Sequence, residues 1–596
     1  MVERALEKLP DETLINWLKI ATDRRMGAVI EAFRRGWSIE RVYEITRITR
    51  WFLYGFEKIA KTELEIVNTS CLPKHLSAEQ LRRWKSLGFS DAHIADALLS
   101  FPSDKLKSAG VEENEQAVMK VRHMHSVHPI FRMVDSCAAE FAAKTPYYYS
   151  TYEPNGHSGI DYLPNLEKRT KTRQVVIGSG PIRIGQGIEF DYGCVHAVKA
   201  IREAGMDAVL MNNNPETVST DFDTSDRLYF EPLTIEYVTE VLLREQAHGI
   251  LLQFGGQTAI NLALPLEKRL TVLDLSLQIL GTTCDAIDEA SDRERFEEFA
   301  SKHGIRMPKG STGTSPDDVR NIVQEIGYPV LIRPSYVLGG RGMEILSNEK
   351  QLNAYLAEAF LAPDKPLLVD EYLGHAIELD VDAAADGENV LIGAIMEHLE
   401  EAGIHSGDST CFIPTQNISE PMLERVREQT KKIGLGLKIR GCFNIQFAIQ
   451  GDELYCLEVN PRSSRTVPFV AKATGVPMAR IAARVTLGIK LNEQSIPEAT
   501  SGHISVKAPV FPFIKLQGLD PAPGPEMKST GEVYGSDTRA DVAYLKARLA
   551  TEIPVASDGG AYLTVRDGDK EGIIDVAREL ENMGFCLLYT SDAADE

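Results

Sequence analysis

The stretch from Phe443 to Arg465, FNIQFAIQGDELYCLEVNPRSSR, decides the fold of this chain and indicates its chemistry. Two strand-like runs flank a Gly-Asp pair, which is a hairpin signal. Because side chains two apart in a strand share a face, Glu458 and Asn460 point the same way, and a hairpin partner places Gln446 beside them. Three such oxygen ligands suit Mg²⁺ shared with phosphates, so we predict a metal site here.

Two arginines follow this set, at Arg462 and Arg465. Positive charge at this distance would stabilise a phosphoryl group in transfer. The alternative is a solvated carboxylate near a surface arginine. We favour the phosphate and metal site, because all of its elements occur within 20 residues.

Three glycine-bearing segments could approach anions through backbone N–H groups. They are GSGPIRIGQG at 178–187, GGQT at 255–258 and RPSYVLGGRGM at 333–343. The first suggests a nicotinamide dinucleotide fold, but Asn212 to Asn214 stand where a ribose-binding acid is expected. The third is not a Walker A loop, because no GK[ST] follows. An ordinary turn remains the alternative for the second and third segments.

Two further segments favour a nucleotide pocket. Asp370–Leu373 and Glu378–Asp382 follow an apolar strand with backbone groups and acids, as adenine and ribose require, although an acidic strand edge is the alternative. Gly403–Asp408 is a polar loop whose His405 could bind substrate or phosphate or serve only the loop.

The chain changes character along its length. Up to about Thr145 apolar residues recur every three or four positions, and Ser77 to Gln80 reads as a capping box, so we predict a helical bundle. A helix-turn-helix DNA reader is the alternative. Beyond a linker, the strand runs at 174–177, 207–211 and 249–253 predict βαβ units with a parallel sheet, and a last α/β segment opens at 562–565.

Composition limits the function classes. The 596 residues have a net charge of −22, which argues against bulk nucleic-acid binding. Residues 1–150 hold 22 basic and 20 acidic side chains, against 42 and 66 beyond them, so two differently built regions are expected. Eight scattered cysteines without a CxxC pair, and no long apolar run, predict a cytoplasmic protein with no membrane partner.

Five segments closely resemble the large chain of carbamoyl-phosphate synthase: 178–191, 214–229, 333–343, 396–409 and 458–472. The resemblance covers about residues 1–586. It implies an α/β fold with an all-helical N-terminal domain, a preATP-grasp parallel sheet plus ATP-grasp, and a partial Rossmann-like regulatory domain. The implied domains are a helical oligomerisation domain (1–150), a linker (151–172), the preATP-grasp domain (173–285), the ATP-grasp domain with its C-terminal extension (286–550) and an incomplete methylglyoxal-synthase-like domain (551–596).

The resemblance also implies the activity, ATP-dependent phosphorylation of carbamate to carbamoyl phosphate for pyrimidine and arginine biosynthesis. The cofactors would be ATP and two Mg²⁺ or Mn²⁺ ions held by Gln446, Glu458 and Asn460. Arg333, Arg462 and Arg465 would be catalytic. The nucleotide would contact Arg293, Arg333, Glu371, Leu373, Glu378, Gly403, Ile404, His405, Ser406, Gln446 and Glu458. Some relatives carry His in place of Glu371.

The implied partners are a glutaminase small subunit and further copies of the chain, joined through the helical domain. The first ATP-grasp half is missing, so a fragment is expected. Lys570 and Thr590 fall at implied effector positions, whereas 587–596 depart from the family pattern. The remaining alternatives are another ATP-grasp carboxylase such as a biotin carboxylase relative, a dinucleotide-dependent oxidoreductase and a catalytically silent scaffold.

Overall fold

The structure is a computed structural model of the chain. It describes residues 6, 9–22, 24–69, 73–99, 111–135, 137, 140–141, 145–152, 170–182, 186–334, 342–359, 366–500, 502–513, 521–551, 555–565 and 569–589.

The N-terminal part is helical, as its apolar periodicity predicts. Two buried cores hold it together, one around Leu14 and Val29 and one around Trp84. The predicted capping box is present: Gln80 N donates to Ser77 Oγ at 3.2 Å, and Ser77 N donates to Gln80 Oε1 at 3.0 Å. The helices of this helical part are α1 (Asp11–Lys19), α2 (Arg24–Arg34), α3 (Ile39–Thr46), α4 (Arg50–Asn68), α5 (Ala78–Ser86), α6 (Asp91–Leu99) and α7 (Val111–Met124).

A seven-stranded sheet, here the parallel sheet, follows in the order β1-β2-β5-β4-β3-β6-β7. Its strands are β1 (Ile130–Met133), β2 (Tyr147–Thr151), β3 (Arg173–Ile177), β4 (Asp207–Asn212), β5 (Arg227–Phe230), β6 (Gly249–Leu251) and β7 (Gln278–Leu280). The three predicted strand runs form β3, β4 and β6, which pair in parallel as expected. The associated helices are α8 (Gly187–Glu203), α9 (Ile235–Glu245), α10 (Gly256–Ile260), α11 (Ala263–Val272) and α12 (Cys284–Ser291).

The helical pattern ends earlier than predicted. Residues 130–133 lie within the stretch expected to be helical, yet they form strand β1, antiparallel to β2. Phe131 is buried edge-on against Tyr229, with ring centroids 5.4 Å apart. Pairing with the edge of an existing sheet and burial of this ring override the local periodicity.

Two antiparallel sheets make up the next part. The small sheet has the order β10-β9-β11-β8, and the large sheet has the order β16-β15-β12-β13-β14-β17-β18. Their strands are β8 (Gly310–Gly313), β9 (Val330–Pro334), β10 (Glu344–Leu346), β11 (Leu367–Glu371), β12 (Ile377–Asp386), β13 (Val390–Glu401), β14 (Cys411–Ile413), β15 (Arg440–Gln450), β16 (Glu453–Asn460), β17 (Ile504–Val510) and β18 (Gly531–Asp537).

Helices cover both antiparallel sheets: α13 (Arg293–His303), α14 (Pro316–Ile326), α15 (Glu349–Ala359), α16 (Glu420–Gly436), α17 (Val467–Thr474), α18 (Met478–Thr486) and α19 (Ala540–Ala550). One apolar core joins the large sheet to the parallel sheet, since Val176 and Ile201 share it with Ala384 and Ile481. This core packs the parallel sheet against the large sheet, including Cys442 at the start of β15.

The last described part is a strand–helix–strand unit. β19 (Gly560–Leu563) pairs in parallel with β20 (Cys586–Tyr589), and α20 (Lys570–Asn582) connects them without burying any side chain. The parallel pairing matches the α/β segment predicted there.

Within the described residues, none of the helices has both the length and the apolar character that crossing a bilayer demands.

Candidate active site

The β15–β16 hairpin brings the three predicted metal ligands to one face. Gln446 lies directly opposite Glu458, and Asn460 is two positions further along β16. Asn460 Nδ2 donates to Glu458 Oε1 at 2.9 Å, so these two side chains do point the same way. Directly opposed residues of an antiparallel pair have Cβ atoms about 5 Å apart, so the amide and the carboxylate are neighbours.

The loop after β13 closes over this face. Gln446 Nε2 donates to Ser406 Oγ at 3.0 Å, and Gly403 N donates to Glu378 Oε1 at 3.2 Å. Gly403 has a φ of 98°, and a Cβ there would stand 2.7 Å from the Tyr372 ring, so only glycine fits. The predicted segment 403–406 is thereby fixed beside the hairpin. Inside the loop, Gly407 N donates to His405 Nδ1 at 3.0 Å.

The glycine-bearing turn of the parallel sheet also reaches this site. Arg462 Nε donates to Gln257 Oε1 at 3.0 Å, and Arg462 Nη2 donates to Asn460 Oδ1 at 3.0 Å. Gln253 holds the same segment, because its Nε2 donates to the Pro461 carbonyl at 2.9 Å. The GGQT turn is therefore part of the site, and the arginine side chain bridges the two sheets.

A row of acids lies beside the hairpin on β12, the neighbouring strand of the same sheet, where Asp380 is directly opposite Gln446. Glu378, Asp380 and Asp382 alternate along the strand, and buried His398 on β13 lies between the first two. His398 Nε2 is 3.1 Å from Asp380 Oδ2, and Nδ1 is 3.4 Å from Glu378 Oε2. Burial opposes the charged imidazolium, but Cys411 and these carboxylates raise the pKa of His398 well above its usual value.

Asp382 is the last acid of this row, and its carboxylate accepts hydrogen bonds from two hydroxyl groups and one amide. Ser464 Oγ donates at 2.7 Å, Thr466 Oγ1 at 2.6 Å and Asn444 Nδ2 at 3.0 Å. Burial raises the pKa of the Asp382 carboxyl to about 6, although these donors oppose the shift. The carboxyl therefore links the strand to the segment that carries Arg462.

The raised pKa of Asp382 makes a prediction about stability. The folded state binds the proton up to about pH 6, whereas the unfolded chain releases it near 3.8, so this group stabilises most below 3.8 and the stabilisation is lost as pH rises through 6. An Asp382→Asn variant has no carboxyl to titrate at this position, so it does not lose this stabilisation as pH rises. The unfolding free energy of the variant minus that of the wild type should therefore increase by on the order of 3 kcal/mol between pH 4 and 7, measured by urea titrations.

The Asp452→Asn variant, in the exposed hairpin turn, is the control for loss of one carboxylate. A difference curve for Asp382→Asn that is flat over this pH range would contradict the assignment.

A second polar group surrounds Arg465. Arg465 Nη2 is 3.1 Å from Glu189 Oε1 on α8, and buried Lys507 Nζ donates to the Ser406 carbonyl at 3.2 Å. Burial raises the pKa of Glu532 nearby, with Lys507 and Arg465 opposing. Among described residues, Glu189 Oε2 and Glu532 Oε2 are buried without a hydrogen-bond partner.

The remaining predicted contacts divide between the small sheet and the region around the loop after β13. Arg293 Nη2 is 3.0 Å from Asp370 Oδ1, and burial raises the pKa of Asp370 while Arg293 and Arg333 oppose the shift. Arg333 lies on β9 opposite Leu368, and Glu371 ends β11. Leu373 is buried in a small apolar cluster with Ala376, Ala402 and Ala448, and Ile404 is half-buried in the loop.

Three predicted features lie outside the described residues: 335–341 of the glycine-rich segment, 183–185 of the first glycine motif, and Thr590. Lys570 begins α20, away from the hairpin in sequence. The prediction from sequence missed His398, Glu189, Lys507 and Glu532. The alternating acids of β12 were a signal for His398, whereas nothing local indicated the other three.

The donor set at the hairpin fits a hard cation. Glu458 offers a carboxylate, and the Gln446 amide, whose nitrogen bonds Ser406, offers its oxygen. Asn460 fits with one rearrangement. Its Oδ1 accepts a hydrogen bond from Arg462, and a cation bound to Oδ1 would replace that hydrogen bond.

Models of three protein domains match the chain. They are the oligomerisation domain of the carbamoyl-phosphate synthetase large chain at residues 2–124, the carbamoyl phosphate synthase preATP-grasp domain at 170–289 and the ATP binding domain of the carbamoyl-phosphate synthase L chain at 292–494. The predicted fold class, an all-helical part followed by preATP-grasp and ATP-grasp parts, is confirmed.

Relatives of known name cover nearly the whole chain. It is 47% identical over 576 residues to the carbamoyl phosphate synthase large chain of Methanosarcina acetivorans, covering 96% of this chain and 51% of that one. It is 46% identical over 582 residues to that of Methanothrix thermoacetophila, covering 97% and 52%. A solved biotin carboxylase domain of Hydrogenobacter thermophilus 2-oxoglutarate carboxylase is 21% identical, with a TM-score of 0.46 over 57% of this chain and 75% of that chain.

The chain spans about half the length of the curated relatives it matches. The three matched domains occur in one order, and the identity to these relatives extends through all of them. The chain belongs to the family of carbamoyl-phosphate synthase large chains.

Proposed function

We propose that this chain phosphorylates carbamate with ATP to give carbamoyl phosphate, as the second half of a large chain. The observation that carries the proposal is the hairpin register, which sets Gln446 opposite Glu458 with Asn460 on the same face. In this reaction a carbamate oxygen forms a bond to the γ-phosphorus, the bond from that phosphorus to the β–γ bridging oxygen breaks, and ADP leaves.

We propose that Gln446, Glu458 and Asn460 hold Mg²⁺ or Mn²⁺, with two ions per site. The metal would supply neutralising charge on the ATP phosphates. Arg462, Arg465 and Arg333 would stabilise charge on the transferred group, and Arg293 would bind phosphate oxygens. The link from Arg462 to Asn460 supports this, because it places a guanidinium directly beside the ligand set.

The nucleotide would lie between the small sheet and the loop after β13. Leu373 gives an apolar surface for adenine, Glu371 and Glu378 give polar groups, and the segment 403–406 closes the site. We propose that His405 and Ser406 contact the nucleotide, supported by the bond of Ser406 to Gln446. Carbamate would arrive through the polar region around Arg465, where this guanidinium and the buried ammonium group of Lys507 offer positive charge to an anion.

We propose that the intact enzyme also contains a first ATP-grasp half and binds a glutaminase small subunit. We propose further that its copies associate through the helical part. The match of residues 2–124 to an oligomerisation domain supports the association. We also propose a regulatory role for the C-terminal part, with Lys570 at an effector site, and a cytosolic location. Seven free cysteines in the described residues support a reducing compartment.

The reverse reaction tests this function, because it requires only this half. The purified chain with Mg²⁺, ADP and carbamoyl phosphate should form ATP, measured with a coupled luminescence assay. ATP hydrolysis stimulated by biotin and bicarbonate, with no ATP formed from carbamoyl phosphate, would identify another ATP-grasp carboxylase. ATP binding without either reaction would refute the proposed function.

A further inference from the structure

Two histidines and a glutamate meet where the helical part contacts the parallel sheet. His123 is in the last turn of α7, His128 is in the segment that follows, and Glu240 is on α9. One ligand atom from each lies within 4.8 Å of the others. His123 Nε2 is 3.3 Å from Glu240 Oε1, and His128 Nδ1 is 3.9 Å from Glu240 Oε2.

These spacings match a metal that binds nitrogen and oxygen. With bonds of 2.0–2.1 Å, donors around a tetrahedral Zn²⁺ lie about 3.3–3.4 Å apart. The His123–Glu240 pair is already at this separation, and the His128–Glu240 pair must close by about half an ångström. The widest spacing in the set, up to 4.8 Å, must close by about 1.4 Å, which side-chain rotation of the exposed His128 allows. Two imidazoles and one carboxylate, with a water in the fourth position, are a recurrent Zn²⁺ set.

Arg122 positions two of the three ligands, Glu240 and His128, without occupying both carboxylate oxygens. Its Nη1 is 2.8 Å from Glu240 Oε1 and also donates to the Val127 carbonyl at 3.1 Å. The guanidinium thus holds the glutamate and the residue before His128 in place, as outer-shell groups do in metal sites. Glu240 Oε2 faces His128.

Charge and access both suit a cation. The buried groups next to the site are Lys85 and Arg122 against Asp91, Glu236 and Glu240, which is one formal negative charge in excess. Buried charge of this kind is paired or bound to metal. The His128 side chain is 47% exposed, so an ion can enter from solvent, whereas Glu240 is 8% exposed.

We propose that His123, His128 and Glu240 form a Zn²⁺ site that ties the end of α7 to α9. The two histidines belong to the helical part and the glutamate to the parallel-sheet part, so the bound ion cross-links them. This site is separate from the proposed ATP site, because none of its ligands belongs to the hairpin or the loop after β13.

The test uses the full chain, freed of metal and nucleotide and titrated with Zn²⁺ alone. Calorimetry should show one equivalent of Zn²⁺ that persists in Glu458→Gln, which removes a ligand of the other site. His128→Ala should weaken this binding by at least about 10-fold, and Zn²⁺ should raise the melting temperature of the wild type but not of this variant.

His75→Ala, at an exposed histidine of the same helical part, is the matched control and should bind as the wild type does. His123→Ala gives a second test from the other imidazole. Absence of Zn²⁺ uptake by the wild type, or uptake that both His128→Ala and His123→Ala leave unchanged, would overturn the proposal.

Discussion

Replacing Glu458 by glutamine is expected to lower ATP formation from ADP and carbamoyl phosphate by at least about 100-fold. The substitution keeps the shape of the side chain and removes its charge, so the hairpin should still form. It removes the only carboxylate among the three proposed metal ligands. This carboxylate lies opposite Gln446 and accepts a hydrogen bond from Asn460. Initial rates at saturating Mg²⁺ measure the effect.

Glu453→Gln is the matched control for this experiment. Glu453 begins the same strand, but its half-exposed carboxylate pairs with Arg306 at 3.1 Å, away from the ligand set. Its rate should stay within about twofold of the wild type, since exposed ion pairs contribute little. A Glu458→Gln enzyme that keeps more than about a tenth of the wild-type rate would contradict the proposed metal role.

Replacing Arg122 by leucine is expected to destabilise the protein by about 3–5 kcal/mol. The guanidinium is almost fully buried between Asp91, whose Oδ2 is 3.0 Å away, and Glu240, whose Oε1 is 2.8 Å away. Its removal leaves two buried carboxylates short of a cation, and the desolvation of each is no longer offset. Hydrogen exchange of α7 and α9 should show the loss locally, and urea unfolding should show it for the whole chain.

Arg83→Leu serves as the comparison, because Arg83 pairs with Glu65 on the surface of the same helical part, at 60% and 37% side-chain exposure. Its stability change should stay below about 1 kcal/mol. If Arg122→Leu behaves in the same way, the cluster at the junction does not hold the two parts together.

The sequence pattern correctly predicted the elements that are formed by interactions between residues near one another in the chain. The turn at Gly451 with alternating strands gave the β15–β16 hairpin, and the Ser77 capping box started α5 as expected. The sheet strand at 130–133 could not be read in this way, because its partner β2 and the ring of Tyr229 come from other parts of the chain.

The same distinction between local and long-range causes applies to the candidate site. Strand periodicity alone determined that Glu458 and Asn460 share a face, and the hairpin added Gln446, because neighbouring strands of a tight turn have a fixed register. The sequence by itself therefore determined which three side chains share the face of the proposed ligand set, and it determined the fold class.

Only the tertiary structure decided what surrounds that set. Gln257 reaches Arg462 across 205 positions, and Ser406 reaches Gln446 across 40. The same holds for the junction cluster, where Glu236 and Glu240 of the parallel-sheet part meet Lys85 and Arg122 of the helical part. Such contacts depend on how whole sheets and helices pack through shared apolar cores. That packing is set by many weak contacts between segments far apart in the chain, which no short stretch of sequence contains.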